Sequence, residues 1–276
     1  MTLGRGDQRP VGLRDSRRER YNPGRVARTI AVANQKGGVA KTTTVAALGA
    51  ALGERGHRAL VVDLDPQACL TFSLGFDPEE LQPTIHDVFV GRCGIDTTIL
   101  PVENEAFHLV PASIDLAGAE AYLLTRTGRE YALRSALEDV TDEYDVVVLD
   151  CPPSLGVLTI NALTAADDVL IPLQCETLSH RGVGQLLSTI DDVRRLTNRR
   201  LEVSGILPTM FDARTVHARE VLADVGLRYR LRVLDPPVRK SVRFAEAPRE
   251  GRTILRFAPA HPGAEAYRAI SRELVP

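Results

Sequence analysis

The chain has 276 residues, 44% of them apolar and 25% charged, the composition of a soluble globular protein with enough length for one large α/β domain or two small ones. A formal net charge of −2 means that any nucleic-acid binding must come from a local patch. No apolar run approaches the ~18 residues that span a bilayer. No signal peptide is visible, and Cys69, Cys93, Cys151 and Cys175 are too far apart for a C-x-x-C, so a cytoplasmic protein with buried free thiols is expected.

Residues 1–27 form a separate segment. Arg5, Arg9, Arg14, Arg17, Arg18, Arg20 and Arg25 face only Asp7, Asp15 and Glu19, and large apolar residues are few. A disordered basic arm is expected, either touching DNA or a partner or simply solvated. Residues 28–276 read as a single domain.

Residues 28–34 read as a first strand and 41–55 as a first helix, closed by Gly56. Between them runs Asn34-Gln35-Lys36-Gly37-Gly38-Val39-Ala40-Lys41-Thr42-Thr43. Strand, glycine loop and helix are the setting of a phosphate-binding loop, where free N–H groups and the positive helix end hold an anion. Lys41 can reach β- and γ-phosphates, and the Thr42 hydroxyl can ligate Mg²⁺. The usual G-x-x-x-x-G-K-[ST] spacing would put glycine at 35 and 40, where this chain has Gln35 and Ala40, and it adds a second lysine, Lys36, in front. The chain has only three lysines, Lys36, Lys41 and Lys240, among 34 basic residues. Random placement would put two of them in this loop about once in two hundred arrangements, so the choice looks chemical.

Residues 58–64 read as a second buried strand that ends in Asp63-Leu64-Asp65-Pro66-Gln67. Carboxylates there face the ligand crevice of an open α/β sheet, or else cap a turn. Residues 68–105 carry little pattern apart from a short helix over 84–90. A strand is expected over 107–111, a cap at Ser113, and an amphipathic helix over 128–143. The strand over 145–149 ends in Asp150-Cys151-Pro152-Pro153-Ser154, and an acid closing an apolar strand can hold Mg²⁺. Further helices are expected over 159–166, 182–197 and 263–274, and strands over 168–173 and 201–208. Arg194, Arg195, Arg199, Arg200, Arg214, Arg219, Lys240 and Arg243 are candidate DNA contacts, with a solvated face as the plain alternative.

These motifs resemble, in order and over residues 28–274, those of the ParA/MinD family of deviant Walker A ATPases, nearest in wording to the Soj-like ParA proteins. The phosphate loop, D-L-D-P-Q, D-C-P-P-S, Q-C-E at 174–176 and the stretch from Thr209 to Thr215 all contribute. The resemblance implies a doubly wound, mostly parallel α/β sheet with helices on both faces. It implies ATP and Mg²⁺ as ligands, held by Lys36, Gly37, Gly38, Val39, Ala40, Lys41, Thr42 and Thr43, with Met210 near the adenine. It gives Thr42 and Asp150 to the metal and the attacking water to Asp65, and it sends Lys36 across an ATP-dependent homodimer. The partners implied are a ParB-like centromere-binding protein and non-specific duplex DNA. The basic amphipathic tail by which MinD-like relatives dock on membrane has no counterpart here, so no membrane partner is expected. A positioning ATPase with a protein cargo, a biosynthetic relative and a plain DNA-binding module stay as alternatives. Ala40 replaces a glycine usual in the family, and Val238-Arg239-Lys240-Ser241 replaces Ile-Pro-Arg-Asn beside the base.

Overall fold

The computed structural model describes residues 27–175, 179–212 and 214–276, apart from the side chains of 179–181 and 216–219. Residues 1–26 of the expected basic arm, and Glu176 of the Q-C-E stretch, lie outside the described residues.

Apolar runs without polar alternation suit strands covered on both faces. Two of them, Ala59–Asp63 (β2) and Val146–Asp150 (β5), are buried at every position. They join Arg28–Val32 (β1), Leu100–Pro101 (β3), Phe107–Val110 (β4), Asp168–Gln174 (β6) and Glu202–Thr209 (β7). The seven-stranded sheet has the order β3-β4-β2-β5-β1-β6-β7, parallel throughout except for β3, which runs antiparallel to β4.

The helices fall on both faces, as the doubly wound reading requires. Lys41–Glu54 (α1) and Cys69–Ser73 (α2) lie on one face, together with the late helices Ile254–Phe257 and Pro262–Leu274. Ile85–Phe89 (α3), Leu116–Leu124 (α4), Ala132–Glu138 (α5), Val157–Ala165 (α6), Ser179–Leu196 (α7) and Val216–Tyr229 (α8) lie on the other. Arg243–Glu246 (α9) precedes the late pair, which become α10 and α11.

Three expectations need correction. The single helix over 128–143 is broken into a 3₁₀ turn at Arg129–Tyr131, α5 and a second 3₁₀ turn at Thr141–Glu143. The reason is tertiary. In a continuous helix the Leu133 N–H would bond the Arg129 carbonyl, but the Asn161 side chain accepts from the first (3.0 Å) and donates to the second (2.8 Å). Ser113 is not a cap, because α4 starts after Asp115 and no side chain caps it. Helix α8 had no counterpart among the expected elements. Within the poorly patterned stretch lie α2, a 3₁₀ turn at Ile95–Thr98 and the two-residue β3.

Candidate functional site

Strand β1 is where the connections change direction, since the chain leaves it toward β2 on one side and later adds β6 on the other. A crevice opens above the C-terminal strand ends at such a point. The loop 33–40 crosses it and is tied down on several sides. Asn34 Nδ2 donates to the Pro172 carbonyl in β6 (2.7 Å), while its Oδ1 accepts from the Lys36 N–H (3.0 Å). Thr209 Oγ1, at the end of β7, donates to the Val39 carbonyl (3.0 Å), and Lys41 Nζ donates to the Lys36 carbonyl (3.2 Å).

The loop's inner face is open. A Cβ on Gly37 or Gly38 would meet nothing within 4 Å. Gly38 (φ 72°) and Ala40 (φ 64°) are both left-handed. Ala40 is the residue before α1, and no side chain caps that helix. The N–H groups of its first turn, from Lys41, Thr42 and Thr43, therefore point at a place for an anion. Burial lowers the pKa of Lys41, and the nearby charges of Asp150, Cys151 and Asp65 oppose that shift.

Asp63 and Asp150 end neighbouring strands as register partners. They differ in how they are satisfied. Asp63 accepts from the Thr71 N–H (2.9 Å), the Thr71 hydroxyl (2.8 Å) and the Asp65 N–H (3.1 Å), and burial pushes its pKa up to about 6. Asp150 is 1% exposed, yet neither carboxylate oxygen has a hydrogen-bond partner. Burial, and then the charge of Asp63, drive its pKa well above the carboxylate range. The Thr42 hydroxyl and Lys41 pull it back, although Thr42 does not meet full hydrogen-bond geometry. An orphaned buried carboxylate is costly, and a divalent cation beside it and the Thr42 hydroxyl removes the cost. No group of three or more His, Cys, Asp or Glu among the described residues is arranged to hold a metal. Mg²⁺ takes one or two carboxylates and completes its shell with phosphate and water.

Asp65 sits half-buried at the rim, where its Oδ1 accepts from the Gln67 N–H (2.9 Å) and closes a turn. Met210 follows β7 on the same edge with φ 49°, and Phe211 beside it bonds the Val238 carbonyl (3.0 Å) and bridges to Arg239. The departure from the family wording therefore lies along Phe211, the residue after Met210. Cys151 is fully buried with its thiol pKa pushed far up, which suits packing rather than attack.

The basic candidates separate. Helix α7 runs from the end of β6 to the start of β7, so Arg194, Arg195, Arg199 and Arg200 lie at the edge opposite the phosphate loop. Arg194 pairs with Asp191 and bonds the Leu201 carbonyl, and Arg195 pairs with Asp192. Arg214, Lys240 and Arg243 lie at the loop's own edge. Arg214 is held by Asp212 (2.8 Å), Arg243 by Glu246 (2.9 Å), and Lys240 is exposed. The side chain of Arg219 lies outside the described residues.

Sequence reasoning gave no individual role to Asn34, Thr71 or Thr209. An asparagine just after an apolar strand was the visible signal for the first. For Thr209 there was none, because its bond to the loop exists only once β7 is placed.

Comparison with known proteins gives the family. An AAA domain family model matches residues 27–203. The chain is 42% identical over 249 residues to the sporulation initiation inhibitor protein Soj of Bacillus subtilis, covering 90% of this chain and 98% of that one. It is 42% identical over 250 residues to the chromosome partitioning protein ParA of Myxococcus xanthus, covering 91% and 88%. Among solved structures, a protein described as cobyrinic acid a,c-diamide synthase from Mycobacterium smegmatis, with bound ATP analogue and magnesium, superposes with TM-score 0.82 at 54% identity, covering 91% and 95%. The chain belongs to the ParA/MinD family of P-loop ATPases.

Proposed function

We propose that this protein is a Mg²⁺-dependent ATPase whose ATP-bound form dimerises, binds duplex DNA without sequence preference, and segregates or positions DNA with a ParB-like partner. The observation that carries the ATPase part is the orphaned Asp150 carboxylate beside Thr42, under an open loop with two lysines. The N–H groups at the start of α1 and the Lys41 ammonium hold the β- and γ-phosphates. Thr42 and Asp150 hold Mg²⁺, which when bound neutralises charge on the phosphates. Thr43 continues the cradle, and Met210 lies on the side of the base. Asp65 orients water, and the Lys36 ammonium of a second copy reaches across to the phosphates. Because Lys36 acts on the other subunit's nucleotide, the γ-phosphate then links dimer state to DNA binding. In that state the protein sits on the nucleoid of the cytoplasm.

The test is Lys36→Ala in the full chain. Loss of ATP-dependent dimerisation and a fall in hydrolysis of roughly tenfold or more is the expected result. Dimerisation and turnover at the level of the unmodified protein would remove the role in trans.

One observation favours a second reading, a positioning ATPase with a protein cargo. Arg194, Arg195, Arg214 and Arg243 each have an acidic neighbour, which leaves less free positive charge for DNA.

A further inference from the structure

Helix α4 contributes a fourth carboxylate to the rim of this site. Glu120 leans over the loop that follows Asp150: a Cβ built on Gly156 would stand 3.2 Å from Glu120 Oε1 and 3.6 Å from the Ser154 hydroxyl. Glycine at 156 leaves room for that carboxylate. Glu120 is half-buried, and no hydrogen bond or ion pair reaches it among the described residues. Burial, and then the charge of Asp65, raise its pKa, which puts it within the field of the residue assigned to water.

Its position is fixed from the core. The Thr71 hydroxyl that donates to Asp63 also accepts from the Ala112 N–H (3.0 Å), just ahead of α4. The segment that leads to Glu120 is thereby tied to the end of β2. Just ahead of this helix Ile114 exposes 64% of its surface, and at the helix's C-terminal end Leu124 exposes 58%.

Glu120 lies in the field of Asp65, and among the described residues no cation is paired with it. A cation brought by a second copy is favoured at such a place. We propose that Glu120 is a positioning residue that receives the Lys36 ammonium of the second copy and aims it at the nucleotide. This deepens the reading given above and depends on Lys36 acting in trans.

The experiment is sedimentation of the full chain with Mg²⁺ and a non-hydrolysable ATP analogue, for the unmodified protein, Glu120→Gln, Lys36→Gln and the double variant. Melting temperature serves as the check on folding, and Glu120→Asp, which keeps the charge, is the second variant. The expected result is dimerisation weakened about tenfold by Glu120→Gln, mostly restored in Glu120→Asp, and no further loss when Glu120→Gln is added to Lys36→Gln. Dimerisation of Glu120→Gln at the unmodified level, or losses that multiply in the double variant, would overturn the role of Glu120 alone. Unmodified dimerisation of Lys36→Gln would overturn the reading beneath it.

Discussion

Asp150 is held in a state that suits a ligand better than it suits the fold. A buried carboxylate without a donor destabilises the ligand-free protein, and the proposed role as a Mg²⁺ ligand would use the same carboxylate. The sign of the pH dependence follows. Its folded pKa is raised, so the stability tied to its proton is full below the unfolded carboxylate value and is lost as pH rises through the folded one. Asp63 titrates the same way, from an ordinary value of 3.8 to about 6. Asp150→Asn stays neutral at every pH. It should stabilise the nucleotide-free protein by roughly 1–3 kcal/mol at pH 7 and by little near pH 4, while Mg²⁺-dependent hydrolysis falls by about a hundredfold or more. Denaturant titrations at the two pH values, with turnover assays, check both halves. Ala40 adds a smaller strain. Left-handed backbone costs a residue with a Cβ about 1 kcal/mol, and Ala40, Ala68 and Met210 all accept it near this site.

Among the elements, α1 determines how well the loop is aimed. Its residues Gly49 and Gly53 sit one turn apart and let the helix lie close on the sheet. A Cβ at Gly53 would stand 2.3 Å from the Ala106 carbonyl oxygen, and one at Gly49 would stand 2.7 Å from Val61 Cγ1. Gly53→Ala must therefore lift the helix or shift the backbone ahead of β4. It is expected to cost roughly 1–3 kcal/mol in stability and to weaken nucleotide binding, measured by thermal melting with and without ATP. Much at this scale was legible in the sequence. The unalternating runs at 59–62 and 146–149 suit strands covered on both faces, and the acids that end them mark one edge of the sheet. The loop was readable from its strand–glycine–helix setting and from the choice of lysine at two of its positions, whereas the part given to Lys36 came from the family resemblance. Other features depended on residues distant in the chain. Asn34 meets Pro172 across 138 positions, and Thr209 meets Val39 across 170. Asn161 divides the segment 128–143 by capturing backbone groups that local periodicity had assigned to one helix. Helices as short as α2, α9 and α10 have too few turns for a periodic signal.

On the scale of the whole molecule, the fold puts its basic residues at two opposite edges. Arg214, Lys240 and Arg243 share an edge with the phosphate loop, and the proposed nucleotide control would reach them through β7 and the segment that bridges to Phe211. Arg194, Arg195, Arg199 and Arg200 lie at the far edge, so a DNA contact there would depend on how two copies are arranged. If the two groups contact DNA as proposed, pairing two copies doubles the number of phosphate contacts, which matters for a chain with a net charge of −2. The central claim is therefore that nucleotide controls DNA binding. The most direct measurement is co-sedimentation of the purified chain with duplex DNA, in ATP, in ADP and without nucleotide, at two salt concentrations. The account predicts binding with ATP alone, falling steeply as salt is raised. Binding that is equal in all three nucleotide conditions, or absent in ATP while ATP itself is bound, would contradict it.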